Sequence, residues 1–78
     1  MMYNREDIRE FNRIYAKVTN YKMEHGKADF LMISRETFEN YSIELQEEIM
    51  RLGIRVYLAQ KPYVLKVCDF ESFLKKED

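Results

Sequence analysis

The alternation of apolar and polar positions divides this chain into six segments. Ile8, Phe11, Ile14, Tyr15, Val18 and Tyr21 recur at three- and four-residue spacing, the signature of one amphipathic helix over about residues 5–24. Asn4 is suited to cap its start, Asp7 sits near its positive dipole end, and His25-Gly26 closes it. Phe30-Leu31-Met32-Ile33 is then uninterruptedly apolar, as in a buried strand, and Ser34 is a helix-capping residue. Phe38, Tyr41, Leu45, Ile49 and Leu52 predict a second helix that runs to Leu52, tolerates Ser42 on its apolar face and stops at Gly53.

Beyond Gly53 the period changes to two. Ile54, Val56 and Leu58 alternate with Arg55, Tyr57 and Ala59; Tyr63, Leu65 and Val67 alternate with Val64, Lys66 and Cys68. Gln60-Lys61-Pro62 between them predicts a hairpin, with Pro62 removing one ladder donor. In the tail, Asp69 is placed to cap a short helical turn bearing Phe70, Phe73 and Leu74, and residues 75–78 are expected to fray. The fold expected is a single α+β domain over 1–78, αβαββ(α), with a small three-stranded mixed sheet against two amphipathic helices. A hairpin would push the Phe30–Ile33 strand to the outside of that sheet. An outer strand apolar on both faces needs covering, which predicts a homodimer or higher oligomer.

Composition narrows the function classes. At 78 residues there is room for one core, and 46% hydrophobic with only two Gly and one Pro is a globular balance. No apolar run exceeds four residues, so neither a bilayer span nor a signal-peptide core is present and a cytoplasmic setting is expected. The lone Cys68 rules out an internal disulfide and fits a reducing compartment.

The net charge of −1 conceals bands: six Lys/Arg against four Asp/Glu in residues 1–27, one against six in 28–50, four against none in 51–68, and two against four in 69–78. In the first band Arg5, Arg9, Arg13 and Lys17 form a ridge, with Glu6 and Glu10 spaced to pair with Arg9 and Arg13 as on an ordinary solvated face. In the second, a helical wheel puts Ile43 and Met50 opposite the apolar stripe, among Glu36, Glu39 and Glu47. Either another segment covers this pair or it is a contact site for a partner. Glu47 is also spaced to pair with Arg51.

Chemistry-bearing patterns are few. One Cys and one His cannot close a structural zinc site, and neither sits in a nucleophile motif. Gly26 and Gly53 are isolated helix terminators, not a phosphate-binding loop. No catalytic residue, metal or cofactor is expected. The arrangement with binding chemistry is the outward side of the two C-terminal strands, where Arg55, Tyr57 and Lys66 share a face and Lys61 sits at the turn. Cations around an aromatic plane can stack a base and neutralise phosphates, although such residues also simply guard strand edges.

Phe30-Leu31-Met32-Ile33-Ser34-Arg35-Glu36-Thr37-Phe38, followed by Gly53-Ile54-Arg55-Val56-Tyr57 and Val64-Leu65-Lys66-Val67-Cys68-Asp69-Phe70, resembles the strand, helix, strand, strand run in the axial domain of tailed-phage major capsid proteins. The resemblance covers about half the chain, with Arg35 and Arg55 standing where that family commonly has proline. It implies a compact module of phage or prophage origin and carries over no functional residue. Three functions follow for testing: a non-enzymatic protein-binding module, such as a phage-encoded inhibitor or adaptor of a host protein; an anion binder for nucleic acid or nucleotide using Arg55, Tyr57, Lys61 and Lys66; and a structural subunit of a larger assembly.

Overall fold

The computed structural model describes residues 4–75. Helix α1 (Arg5–His25) begins where Asn4 accepts a hydrogen bond from the Glu6 N–H and ends at Gly26, whose φ of 88° is the left-handed conformation a helix terminator adopts. It is followed by β1 (Phe30–Ser34), α2 (Arg35–Asn40), α3 (Ile43–Met50), β2 (Arg55–Ala59), β3 (Leu65–Cys68) and α4 (Phe70–Lys75). Gly53, at φ 77°, turns the chain from α3 toward β2. Lys75 is thus helical, and the remainder of the predicted frayed tail, 76–78, lies outside the described residues.

The fold is α+β, with a three-stranded mixed sheet in the order β2-β1-β3. β1 runs parallel to β2, Phe30 opposite Arg55 and Ser34 opposite Ala59, and antiparallel to β3, Phe30 opposite Cys68 and Ile33 opposite Leu65. Helices α2 and α3 form the crossover that a parallel pair requires. On one face of the sheet, Leu31, Ile33 and Val67 pack with Ile14 and Val18 of α1, Phe38 of α2, Leu45 and Ile49 of α3, and Ile54. This is the core.

Two expectations are corrected. β2 and β3 do not form a hairpin: they flank β1, and residues 60–64 cross over its end. Five residues can reach up to roughly 16 Å, ample for the two interstrand spacings of about 10 Å that the crossing needs. Ser34 fixes the crossing. Its side chain does not cap α2 but donates to the Lys61 carbonyl at 2.8 Å and accepts from the Val64 N–H at 2.7 Å, while its own N–H donates to the Val64 carbonyl. With β1 central and paired on both sides, its apolar character on both faces is the pattern of a buried strand, and the argument for an oligomer from an unprotected outer β1 lapses.

The second correction concerns the helix expected from Ser34 to Leu52. It is two helices, separated by Tyr41 and Ser42 in extended conformations with ψ 153° and 156°. Ser42 is the N-cap of α3, accepting from the Leu45 N–H at 3.1 Å. Gln46 spans the break, donating to the Tyr41 carbonyl and to the Phe38 carbonyl, which also accepts from the Tyr41 N–H.

Candidate functional site

Helix α3 is two-sided. Leu45 and Ile49, four residues apart, are completely buried, whereas Ile43 is 71% and Met50 62% exposed. No segment among the described residues covers the pair, and Glu44 and Glu47 lie exposed beside them. The break before α3 means that one helical wheel does not relate this pair to Glu36 and Glu39. Those two are exposed on α2, where Glu39 stands 3.7 Å from Arg35. Glu47 does not take Arg51; the arginine pairs with Glu48 at 2.6 Å, leaving Glu47 free of ion pairs among the described residues. The exposed strip of α3 is therefore Ile43, Glu47 and Met50.

A polar clamp fixes α3 against α1. The Ser42 hydroxyl donates to Asp7 at 2.6 Å, the Tyr41 hydroxyl donates to Glu10 at 3.2 Å, and Glu10 also holds Arg13 at 2.9 Å. Burial, reinforced by the Glu10 carboxylate, pushes the Tyr41 hydroxyl above its ordinary range and keeps it a donor. Of the basic ridge, Arg5, Arg9 and Lys17 are exposed with Arg13. Ser42 and Asp7 escape a period-based reading, in which Ser42 is a polar residue tolerated on the apolar face of one continuous helix and Asp7 an acid in the first turn of another. The signal present in sequence is Ser42 followed by Glu44, a capping residue with an acid in the first turn.

The second site lies on the sheet face away from the core. The register sets Tyr57, Met32 and Lys66 in one row and Arg55, Phe30 and Cys68 in the next. Arg55, Tyr57 and Lys66 thus share a face as alternation predicts, but on the two outer strands with β1 between them. Lys61 is exposed in the crossing loop, its carbonyl held by Ser34. Helix α4 covers part of this face: Phe73 stacks on Phe30 at a centroid distance of 4.2 Å and meets Tyr57 edge-on at 5.2 Å, with Phe70 6.2 Å from Phe30. Asp69 caps α4 by accepting from the Ser72 N–H, which holds its carboxyl below the ordinary range. Asp29 accepts from the Phe70 N–H and Tyr21 from the Asp69 N–H, so α4 is tied at its start to the residue before β1 and to α1. Tyr57 remains 40% exposed.

The remaining candidates are Cys68 and His25. Cys68 is buried beside Phe30 in register, and burial together with Asp69 raises its thiol above the usual range, disfavouring the nucleophilic thiolate. His25, in the last turn of α1, packs its ring at a tilt against Tyr21, with centroids 4.2 Å apart. Among the described residues no group of three His, Cys, Asp or Glu is placed to hold a metal ion, and no helix is long and apolar enough to cross a membrane. No family model, curated protein or solved structure matches this chain.

Proposed function

We propose that the chain is a small non-enzymatic binding protein that acts through protein–protein contacts, with the outer side of α3 as its partner surface. The observation that carries this reading is the exposure of Ile43 and Met50 at the two ends of α3, on the opposite side from the buried Leu45 and Ile49. Burying such a pair against a partner would contribute about 1.5–3 kcal/mol per side chain. Glu44 and Glu47 beside it favour an apolar groove rimmed by lysine or arginine, with Glu36 and Glu39 extending the acidic field along α2. The polar clamp through Ser42 and Tyr41 presents the strip on a fixed support, which lowers the ordering cost of binding. An inhibitor or adaptor of a host protein is the role proposed for such a surface, and the resemblance to a capsid segment adds only the suggestion that a phage or prophage encodes it.

The experiment is a paired capture from host lysate, with wild type and Ile43→Asp as baits. A protein retained by wild type and lost with Ile43→Asp, at an unchanged melting temperature, supports the reading. Retention by both baits refutes this surface.

A second reading is favoured by the register itself, which brings Arg55, Tyr57 and Lys66 onto one face. Single-stranded nucleic acid would be its ligand, with cations on the outer strands and aromatic rings between. The rings of Phe30, Phe73 and Tyr57 already pack on one another, which leaves less free plane for a base and ranks this reading second. Titration of labelled single-stranded DNA at about 150 mM salt decides it: micromolar binding lost on Arg55→Ala or Tyr57→Ala would place it first.

A further inference from the structure

The outer edge of β2 is the backbone feature that the preceding sites leave unused. The Arg55 N–H donates to the Asp29 carbonyl at 3.1 Å, so Arg55, Tyr57 and Ala59 turn their backbone polar groups toward β1 and the alternate residues, Val56 and Leu58, turn theirs outward. Among the described residues these outward groups have no hydrogen-bond partner. β2 holds neither Lys nor Pro, and its one charge, Arg55, is at its first residue, so the edge lacks the usual guards. A helix packs on each outer strand, α2 on β2 and α1 on β3, but β3 carries Lys66 within its span and β2 has no such guard.

We propose that two copies of this chain pair antiparallel through β2 about a two-fold axis at Tyr57, joining two three-stranded sheets into one of six strands. The strand is self-complementary in that register. Val56 of each copy faces Leu58 of the other as a hydrogen-bonded pair, which uses every outward N–H and C=O of β2. Tyr57 faces Tyr57 as the central non-hydrogen-bonded pair, where side chains approach most closely and aromatic pairs are favourable. Arg55 faces Ala59, so no like charges meet. Centring the axis on Val56 instead would set Leu58 against Ile54, outside the strand, and waste part of the edge. The two-fold also makes the half-covered sheet faces continuous, extending the aromatic cluster of Phe30, Phe73 and Tyr57 across the axis.

Two five-residue strands bury less area than a standard interface, so the association expected lies in the micromolar to millimolar range. Size exclusion with light scattering across that range should show the mass rising with concentration toward twice 9.6 kDa. Cysteine cross-linking then reads the register. Under mild oxidation Tyr57→Cys should give a disulfide-linked dimer, because directly opposed non-hydrogen-bonded positions have Cβ atoms about 4.5–5.5 Å apart. Arg55→Cys should not, since its two copies would be offset by four residues, roughly 13 Å along the strands. A mass fixed at 9.6 kDa through the millimolar range, or Arg55→Cys cross-linking as readily as Tyr57→Cys, would overturn the proposal.

Discussion

The outer strip of α3 and the outer face of the sheet both expose apolar side chains beside charge, acidic on one and basic on the other, yet these side chains do different things for the fold. On the sheet, Phe73 lies between Phe30 and Tyr57, so the rings that a ligand would meet are the same rings that hold α4 in place. On α3, the core takes Leu45 and Ile49, while among the described residues Ile43 and Met50 stay largely exposed. An exposed apolar residue that the fold does not employ is the better candidate for a partner contact. This difference ranks the protein-binding reading above the anion-binding one.

Substitutions on the two surfaces separate these roles. The largest effect should come from the buried side of α3: Leu45→Ala removes a side chain with no exposed surface and should cost about 2–5 kcal/mol in a urea melt, since a cavity there has little room to relax. Next is Phe73→Ala, which takes the central ring from the sheet-face cluster and should cost about 1–3 kcal/mol, partial burial reducing the effect of a full Phe deletion. If Phe73→Ala were silent, the sheet-face rings would be as idle as Ile43 and the ranking would fail. Ser34→Ala leaves the partly buried Val64 N–H and the Lys61 carbonyl without their partner, and about 1–2 kcal/mol of loss should appear in the same assay.

A smaller effect is expected at the start of α4. Its capping carboxyl, Asp69, titrates below the ordinary value of 3.8, so its contribution is fully present above that value and is lost as pH falls through the lowered one. Asp69→Asn should therefore reduce the acid-side loss of stability seen by thermal melts between about pH 5 and 2. The smallest effect belongs to Ile43→Asp, which should change stability by less than about 0.5 kcal/mol.

Much of this arrangement is legible in the chain, and its gaps have specific causes. The Asn4 and Gly26 ends of α1, Gly53 after α3 and the shared face of Arg55, Tyr57 and Lys66 all follow from local rules, because backbone conformation and strand alternation settle them without distant contacts. The break at Tyr41-Ser42 is hidden because the apolar spacing of Phe38, Leu45 and Ile49 runs through it unchanged. There Ser42 caps α3 and bonds a long-range partner, Asp7 on α1. Strand order is hidden for a similar reason. A short loop permits both a hairpin and a crossing, and the Ser34 hydroxyl, 27 residues from Lys61, holds the crossing. Continuous apolarity in Phe30–Ile33 was the sign that this strand belongs in the centre. Whether Ile43 and Met50 are covered depends on where α1 and α4 pack, which no local pattern specifies.

The most direct test of the partner surface is methyl NMR on the Ile43 δ1 and Met50 ε groups, with the protein captured by wild-type bait added to saturation. Shifts concentrated at these two methyls and the backbone of α3, with Arg55, Tyr57 and Lys66 unmoved, are what the account predicts. Shifts confined to Arg55, Tyr57 and Lys66, with Ile43 and Met50 silent, would contradict it.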